Sequence, residues 1–244
     1  GATALEALKT AAEDAYSLMN SDEALTEAEV SAAESAVSNA LSALTASRTM
    51  SENGTDYLVY ETYENYICGF TPYGCELLDV NLSPDIRVAG GEGENAYLNI
   101  RTFKEQSAVE TAYVGYRFGA ASALITLETV MSFNEADWGS LYLLNGNGEN
   151  AVCIAFEYVY GEYSVVAYNG GVKTKIASYE RNVPVSVKIE ADISGNTFDV
   201  YINGELAAED FAFRADSTEL TSVKAGSSAR DADLRIYEIK VYGE

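Results

Sequence analysis

The chain has 244 residues, of which 38 are acidic and 15 basic, so its net charge is −23. Such a surface repels phosphate backbones and anionic membranes and excludes nucleic acid as a partner. It also argues against long polyanionic substrates such as pectate unless calcium bridges them. There is no histidine, which excludes a Ser-His-Asp triad, a Cys-His pair and the common catalytic zinc sites within the chain.

Residues 3–46 carry helical periodicity. Leu5, Leu8, Ala12, Ala15, Tyr16 and Met19 recur at three- and four-residue spacings, and so do Val30, Ala33, Val37, Ala40, Leu41 and Leu44. Thr26 followed by Glu29 is a capping box that starts the second helix. Residues 1–50 therefore read as an αα-hairpin with a thin, Ala-rich stripe. It is marginal alone and serves as a spacer or docking element. The opening "GATALEAL" reads as a trimmed start, with room for an export signal upstream. No apolar run of 18 residues occurs, so direct membrane insertion is not expected.

From about residue 57 the period changes from 3.6 to 2. "ALITLETVMSF" puts Ala123, Ile125, Leu127, Thr129, Met131 and Phe133 on one face. "VSVKIEADI" puts Val185, Val187, Ile189, Ala191 and Ile193 on one face and Ser186, Lys188, Glu190 and Asp192 on the other. "VCIAFEYVY", "SVVAY" and "VKTKIASY" follow the same rhythm between Gly- and Asn-rich turns. In "NTFDVYINGEL", Asn203-Gly204 fits a type I′ hairpin turn, whose two central residues need positive φ. "DISGN" reads as a turn. "DLRIYEIKVYG" changes phase between Ile236 and Tyr237, as a bulge or a strand covered on both faces would require. About a dozen short strands make residues 57–244 a β-sandwich of jelly-roll type. Cys68 and Cys75 are close enough in sequence to bridge a loop. Cys153, in an apolar strand, reads as a buried thiol.

Three stretches carry a family resemblance. "VKIEADISGNTFDVYINGEL" resembles consecutive strands of concanavalin A-like lectin/glucanase, or laminin-G-like, domains. "YETYENYICGFTPYG" resembles the entry strand and first loop of such modules in secreted bacterial carbohydrate-active proteins, with Tyr63-Glu64 at the Phe/Tyr-Glu position. "LRIYEIKVY" resembles their closing strand, with Glu238 where Asp is usual. The resemblance implies a concanavalin A-like jelly roll after the hairpin and an extracellular or cell-surface location. It also implies an optional structural Ca²⁺ where first and last strands meet, for which Glu64 and Glu238 are the matching carboxylates.

Catalytic features are sparse. A retaining glycosidase needs two carboxylates about 5 Å apart, and no strand presents the E-x-D-x-x-E or E-x-D-x-E pattern of laminarinase-like relatives. Glu149 and Glu157 lie at opposite ends of one strand. No basic cluster stands ready to neutralise a uronate. Sugar binding asks only for aromatic platforms with polar neighbours. Trp138, the single tryptophan, Tyr158, Tyr160 and Tyr163 around one turn, and Tyr73 at a loop tip are the candidates, although packing is the commoner use of such residues.

The sequence thus reads as a non-catalytic carbohydrate-binding or polysaccharide-targeting module of a secreted or cell-surface bacterial protein. Its partners are a glycan and the other domains of a larger surface protein. The alternatives are an adhesion or spacer module that binds no glycan, and a polysaccharide-degrading hydrolase or lyase.

Overall fold

The computed structural model describes residues 2–19, 25–46, 50–52, 54–64, 66, 68–72, 74–81, 84–90, 95–103, 111–121, 123–135, 138–159, 161–229 and 231–243. The chain divides into two compact units, Gly1–Met50 and Ser51–Glu244.

The first unit contains α1 (Ala2–Met19) and α2 (Glu27–Ala46). The capping box forms. Glu29 N–H donates to Thr26 Oγ1 at 3.3 Å, and Thr26 N–H donates to Glu29 Oε2 at 2.8 Å. The bond from the Thr26 backbone holds the Glu29 carboxyl below its usual range. The contact stripe differs from the one expected. Leu8, Ala11, Ala15 and Leu18 are half-buried, whereas Ala12, Tyr16 and Met19 are exposed. Both rows satisfy three- and four-residue spacing, and the row with the smaller residues lets the helices approach. On α2, Ala33 and Val37 are half-buried and Val30 is exposed. The side chains of Leu5, Ala40, Leu41 and Leu44 lie outside the description. No helix among the described residues is long and apolar enough to cross a membrane.

The second unit is an open, mainly antiparallel sandwich. In chain order its strands are β1 (Met50–Glu52), β2 (Thr55–Glu61), β3 (Glu76–Leu78), β4 (Asp85–Ala89), β5 (Tyr97–Arg101), β6 (Ala112–Ala121), β7 (Leu124–Glu135) and β8 (Trp138–Asn145). Then come β9 (Asn150–Val159), β10 (Glu162–Asn169), β11 (Val172–Ser178), β12 (Val185–Asp192), β13 (Thr197–Ile202), β14 (Glu205–Ala212), β15 (Leu220–Ser227) and β16 (Asp233–Gly243). One sheet has nine strands in the order β1-β2-β16-β7-β12-β13-β14, with β5 pairing both β16 and β4; the other has seven, in the order β11-β10-β9-β8-β15-β6-β3.

The expected strand phases hold. Ile125, Leu127, Thr129, Met131 and Phe133 are buried on β7, as are Val185, Val187, Ile189 and Ala191 on β12. Asn203 and Gly204 have φ of 52° and 83°, as a type I′ turn needs. Asn203 is also tied to the start of β12, since its Oδ1 accepts from Ser186 N–H at 2.9 Å. The phase change in β16 is a register shift against β7 between Ile236 and Glu238. Cys68 and Cys75 are free thiols, donating to the Gly90 and Pro72 carbonyls at 2.9 and 3.2 Å. Cys153 is buried.

Inner-face residues of both sheets form the core. At one end Phe133 stacks on Phe156, with ring centroids 4.4 Å apart and Tyr179 packed against both. This needs a glycine at position 139, because a Cβ there would lie 2.1 Å from Phe133 Cε1. Elsewhere Tyr63 is fully buried at φ 61°, unusual for a bulky residue. Its hydroxyl lies 3.2 Å from that of Tyr116, which anchors the loop after β2.

Gly139→Ala is expected to cost about 1–3 kcal/mol through overpacking against Phe133, seen as a lower urea midpoint at unchanged slope. An unchanged midpoint would show that the Phe133 ring can be accommodated elsewhere.

Candidate functional site

Strand alternation gives the seven-stranded sheet an inner and an outer face. On β9 the inner row is Val152, Ile154 and Phe156, all part of the core. The outer row is Cys153, Ala155 and Glu157, and these are only 2, 0 and 2% exposed. An antiparallel sheet with one wet face would leave this row open to water. Here larger neighbours cover it. Register places Trp138 of β8 opposite Glu157, and Tyr142 opposite Cys153. On the other side Ser164 of β10 faces Glu157, and Tyr168 pairs with Lys173 of β11.

Glu157 is the central polar group. Its Oε2 lies 2.5 Å from Lys173 Nζ, while Oε1 is buried and has no hydrogen-bond partner among the described residues. Lys173 Nζ also lies 5.1 Å from the centroid of the Trp138 ring. The half-buried indole donates through Nε1 to Ser140 Oγ at 2.9 Å. Next along the face, the Arg214 guanidinium sits 5.3 Å from the Tyr168 centroid. Burial pushes the pKa of the Cys153 thiol up to about 11, against the opposing pull of Arg214. Farther on, Lys224 Nζ lies 4.6 and 5.5 Å from the Tyr113 and Tyr142 centroids and pairs with Asp79. Burial raises the Tyr142 phenol well above its ordinary value.

The face therefore alternates cations with aromatic rings over a small-residue floor. Lys173, Lys175, Lys224, Arg117 and Arg214 are dispersed in sequence and lie along this face from β11 to β6, the first four each paired with a carboxylate.

Among the sequence candidates, Trp138 lies on this outer face. Tyr158 and Tyr163 do not join it, because residues 157 and 158 point to opposite sides of β9. They pair across β9 and β10 with centroids 4.5 Å apart, and Tyr163 packs on Tyr179 at 5.3 Å, at the end of the inner rows. Tyr158 is 42% exposed. Tyr73 and Tyr160 lie outside the described residues. Glu64 is exposed in the loop after β2, and Glu238 pairs with Lys240 at 2.8 Å. No group of three or more His, Cys, Asp or Glu suited to a metal occurs among the described residues. The sequence reading set Glu157 aside because Glu149 lies at the opposite end of its strand, and passed over Tyr168, Lys173 and Arg214 altogether. One signal was present: "AVCIAF" is apolar without alternation, as expected of a strand covered on both faces.

Lys173→Met is expected to cost about 1–3 kcal/mol, because it leaves the Glu157 carboxylate buried without its cation. Lys175→Met should cost less, since its partner Glu162 is exposed. Combining Lys173→Met with Glu157→Leu should recover much of the loss. Equal losses for the two lysine variants in urea melts would mean that Glu157 is solvated.

No protein-family profile and no curated protein matches the chain. Solved structures do resemble it. A structure from endo-acting O-glycanases of the human gut microbiota superposes with a TM-score of 0.57 at 10% identity, covering 78% of this chain and 100% of that one. A sialidase gives 0.56 at 13% identity over 70% of this chain, which spans only 17% of the sialidase. The T. cruzi calreticulin globular domain gives 0.55 at 11% identity over 77% of this chain and 88% of that one. At these identities the likeness is one of fold: the chain is an open, mainly β sandwich preceded by two helices.

Proposed function

We propose that this chain is a non-catalytic glycan-binding module of a secreted or cell-surface bacterial protein, and that it binds through the outer face of the seven-stranded sheet. The observation that carries the reading is Glu157: a carboxylate buried outside the core, with one oxygen committed to Lys173 and the other unpartnered, beside the half-exposed Trp138. A buried acceptor of this kind suits a sugar hydroxyl, and the rings beside it suit the apolar face of a pyranose. Two of the similar folds, the sialidase and the O-glycanase, come from proteins named for glycan chemistry. Binding is favoured over hydrolysis because, among the described residues, the neighbours of Glu157 on the face are Trp138, Ser164, Ala155 and Lys173, none of them an acid.

The test is a glycan array with and without calcium, repeated with Trp138→Ala, Tyr168→Ala and Tyr158→Ala. Loss of either outer-face ring should weaken binding about tenfold, and Tyr158→Ala should act less. A dominant effect of Tyr158→Ala would move the site to the Tyr158–Tyr163 pair. Silence across plant, host and bacterial glycans would leave the spacer reading. A structural Ca²⁺ on Glu64 and Glu238 is a subsidiary proposal, and it requires the ion to draw Glu238 away from Lys240. Thermal melts with added Ca²⁺ should then exceed those with EDTA; identical melts would remove the proposal.

A further inference from the structure

Arg214 stands apart from the other cations of the outer face. Lys173, Lys175, Lys224 and Arg117 each pair with a carboxylate: Glu157, Glu162, Asp79 and Glu76. Arg214 has none among the described residues. Its guanidinium sits beside the Tyr168 ring. In a chain of net charge −23, acidic partners are abundant. An exposed guanidinium left without one beside an aromatic-lined face is therefore informative. It is also well held. Arg214 N–H donates to the Ala151 carbonyl at 2.8 Å, and the preceding Phe213 is buried. The backbone that carries the fork is thus placed before any ligand arrives, which lowers part of the ordering cost of binding.

The aromatic rings point the same way. Trp138, Tyr168, Tyr113 and Tyr142 each have a cation within 5.5 Å of the centroid. A sugar that stacks on these rings lies beside cations, and one that carries an acidic group supplies the anion that Arg214 lacks among the described residues. A planar guanidinium takes a carboxylate or sulfate through two parallel N–H bonds.

Resting on the sugar-binding reading above, we propose that this face takes a glycan bearing an isolated carboxylate or sulfate within an otherwise neutral chain, with the acidic group on Arg214. The overall charge sets the word isolated. One acidic group meets Arg214 locally, and charges more than about 8 Å from it are screened at physiological salt. A long polyanion would meet that surface along its whole length.

The experiment is an array of matched glycan pairs, neutral against singly acidic, in which sialylated and uronate-bearing members report carboxylate recognition and sulfated members report sulfate. Polygalacturonate is added as the polyanion. The singly acidic member of a bound pair should be at least about tenfold tighter than its neutral partner. Arg214→Gln should collapse that ratio, and Arg214→Lys should retain part of it. Added NaCl should lower the ratio while improving the weak binding of polygalacturonate. Neutral members binding as tightly as acidic ones would overturn the inference and leave the sugar-binding reading intact. An acidic preference unchanged in Arg214→Gln would overturn the role of Arg214. Silence across all pairs would overturn both readings.

Discussion

The stacking of Phe133 on Phe156 across the two sheets is the contact on which the rest of the sandwich hangs. It needs Gly139, because no side chain fits between β8 and the Phe133 ring. Register then fixes the partners. Gly139 lies opposite Phe156, so the preceding residue, Trp138, lies opposite Glu157. Alternation sends the glycine–phenylalanine pair inward and the tryptophan–glutamate pair outward. A slip of one residue would bring Glu157 into the core and Phe156 to the outer face, and a carboxylate among apolar groups is far too costly to persist. The inner contact therefore positions the outer pair.

The two sheets handle their outward charges differently. On the nine-stranded sheet, cations pair along their own strand, Lys188 with Glu190 at 2.6 Å and Lys240 with Glu238 at 2.8 Å. Such pairs are partly solvated and say little about fold. On the seven-stranded sheet the pairs cross between elements: Lys173 of β11 to Glu157 of β9, and Arg117 of β6 to Glu76 of β3. The first of these joins strands that are not hydrogen-bonded neighbours, since β10 lies between them. It reaches over Ser164 and Tyr168, and so roofs the outer row of β9. The depth of the face comes from these crossing side chains.

This division also explains what could be read from the sequence. Everything local was legible: the phases of β7 and β12, the Asn203-Gly204 turn, the Thr26–Glu29 cap and the break in β16. Each follows from residues a few positions apart. The helix stripe failed in part because two rows share one spacing, and small size, rather than hydrophobicity, chose between them. Trp138 was found by its type. Tyr158 and Tyr163 were found by their nearness to one turn, and period-2 alternation puts them on the opposite side of the sheet from Trp138. The cluster of Glu157, Lys173, Tyr168 and Arg214 depends on strand order β11-β10-β9-β8 and on a connection returning over it from β14. No spacing in one sequence encodes that.

The returning connection shows how a turn residue can serve a distant face. "DISGN" is a turn, as expected: Asp192 Oδ1 accepts from Ser194 N–H at 2.9 Å and Gly195 N–H at 3.1 Å. Its last residue, Asn196, does more. It sits at φ 52°, a conformation Asn tolerates better than most. In that position its carbonyl accepts from Phe213 N–H at 2.8 Å and its Oδ1 from Ser217 N–H at 2.6 Å. These bonds grip the chain on both sides of Arg214, and the Ala151 carbonyl holds Arg214 itself. The clamp fixes the backbone from which the Arg214 side chain extends to the Tyr168 ring. The turn that reads as mere scaffold in the sequence thus sets where the chain returns across a distant face.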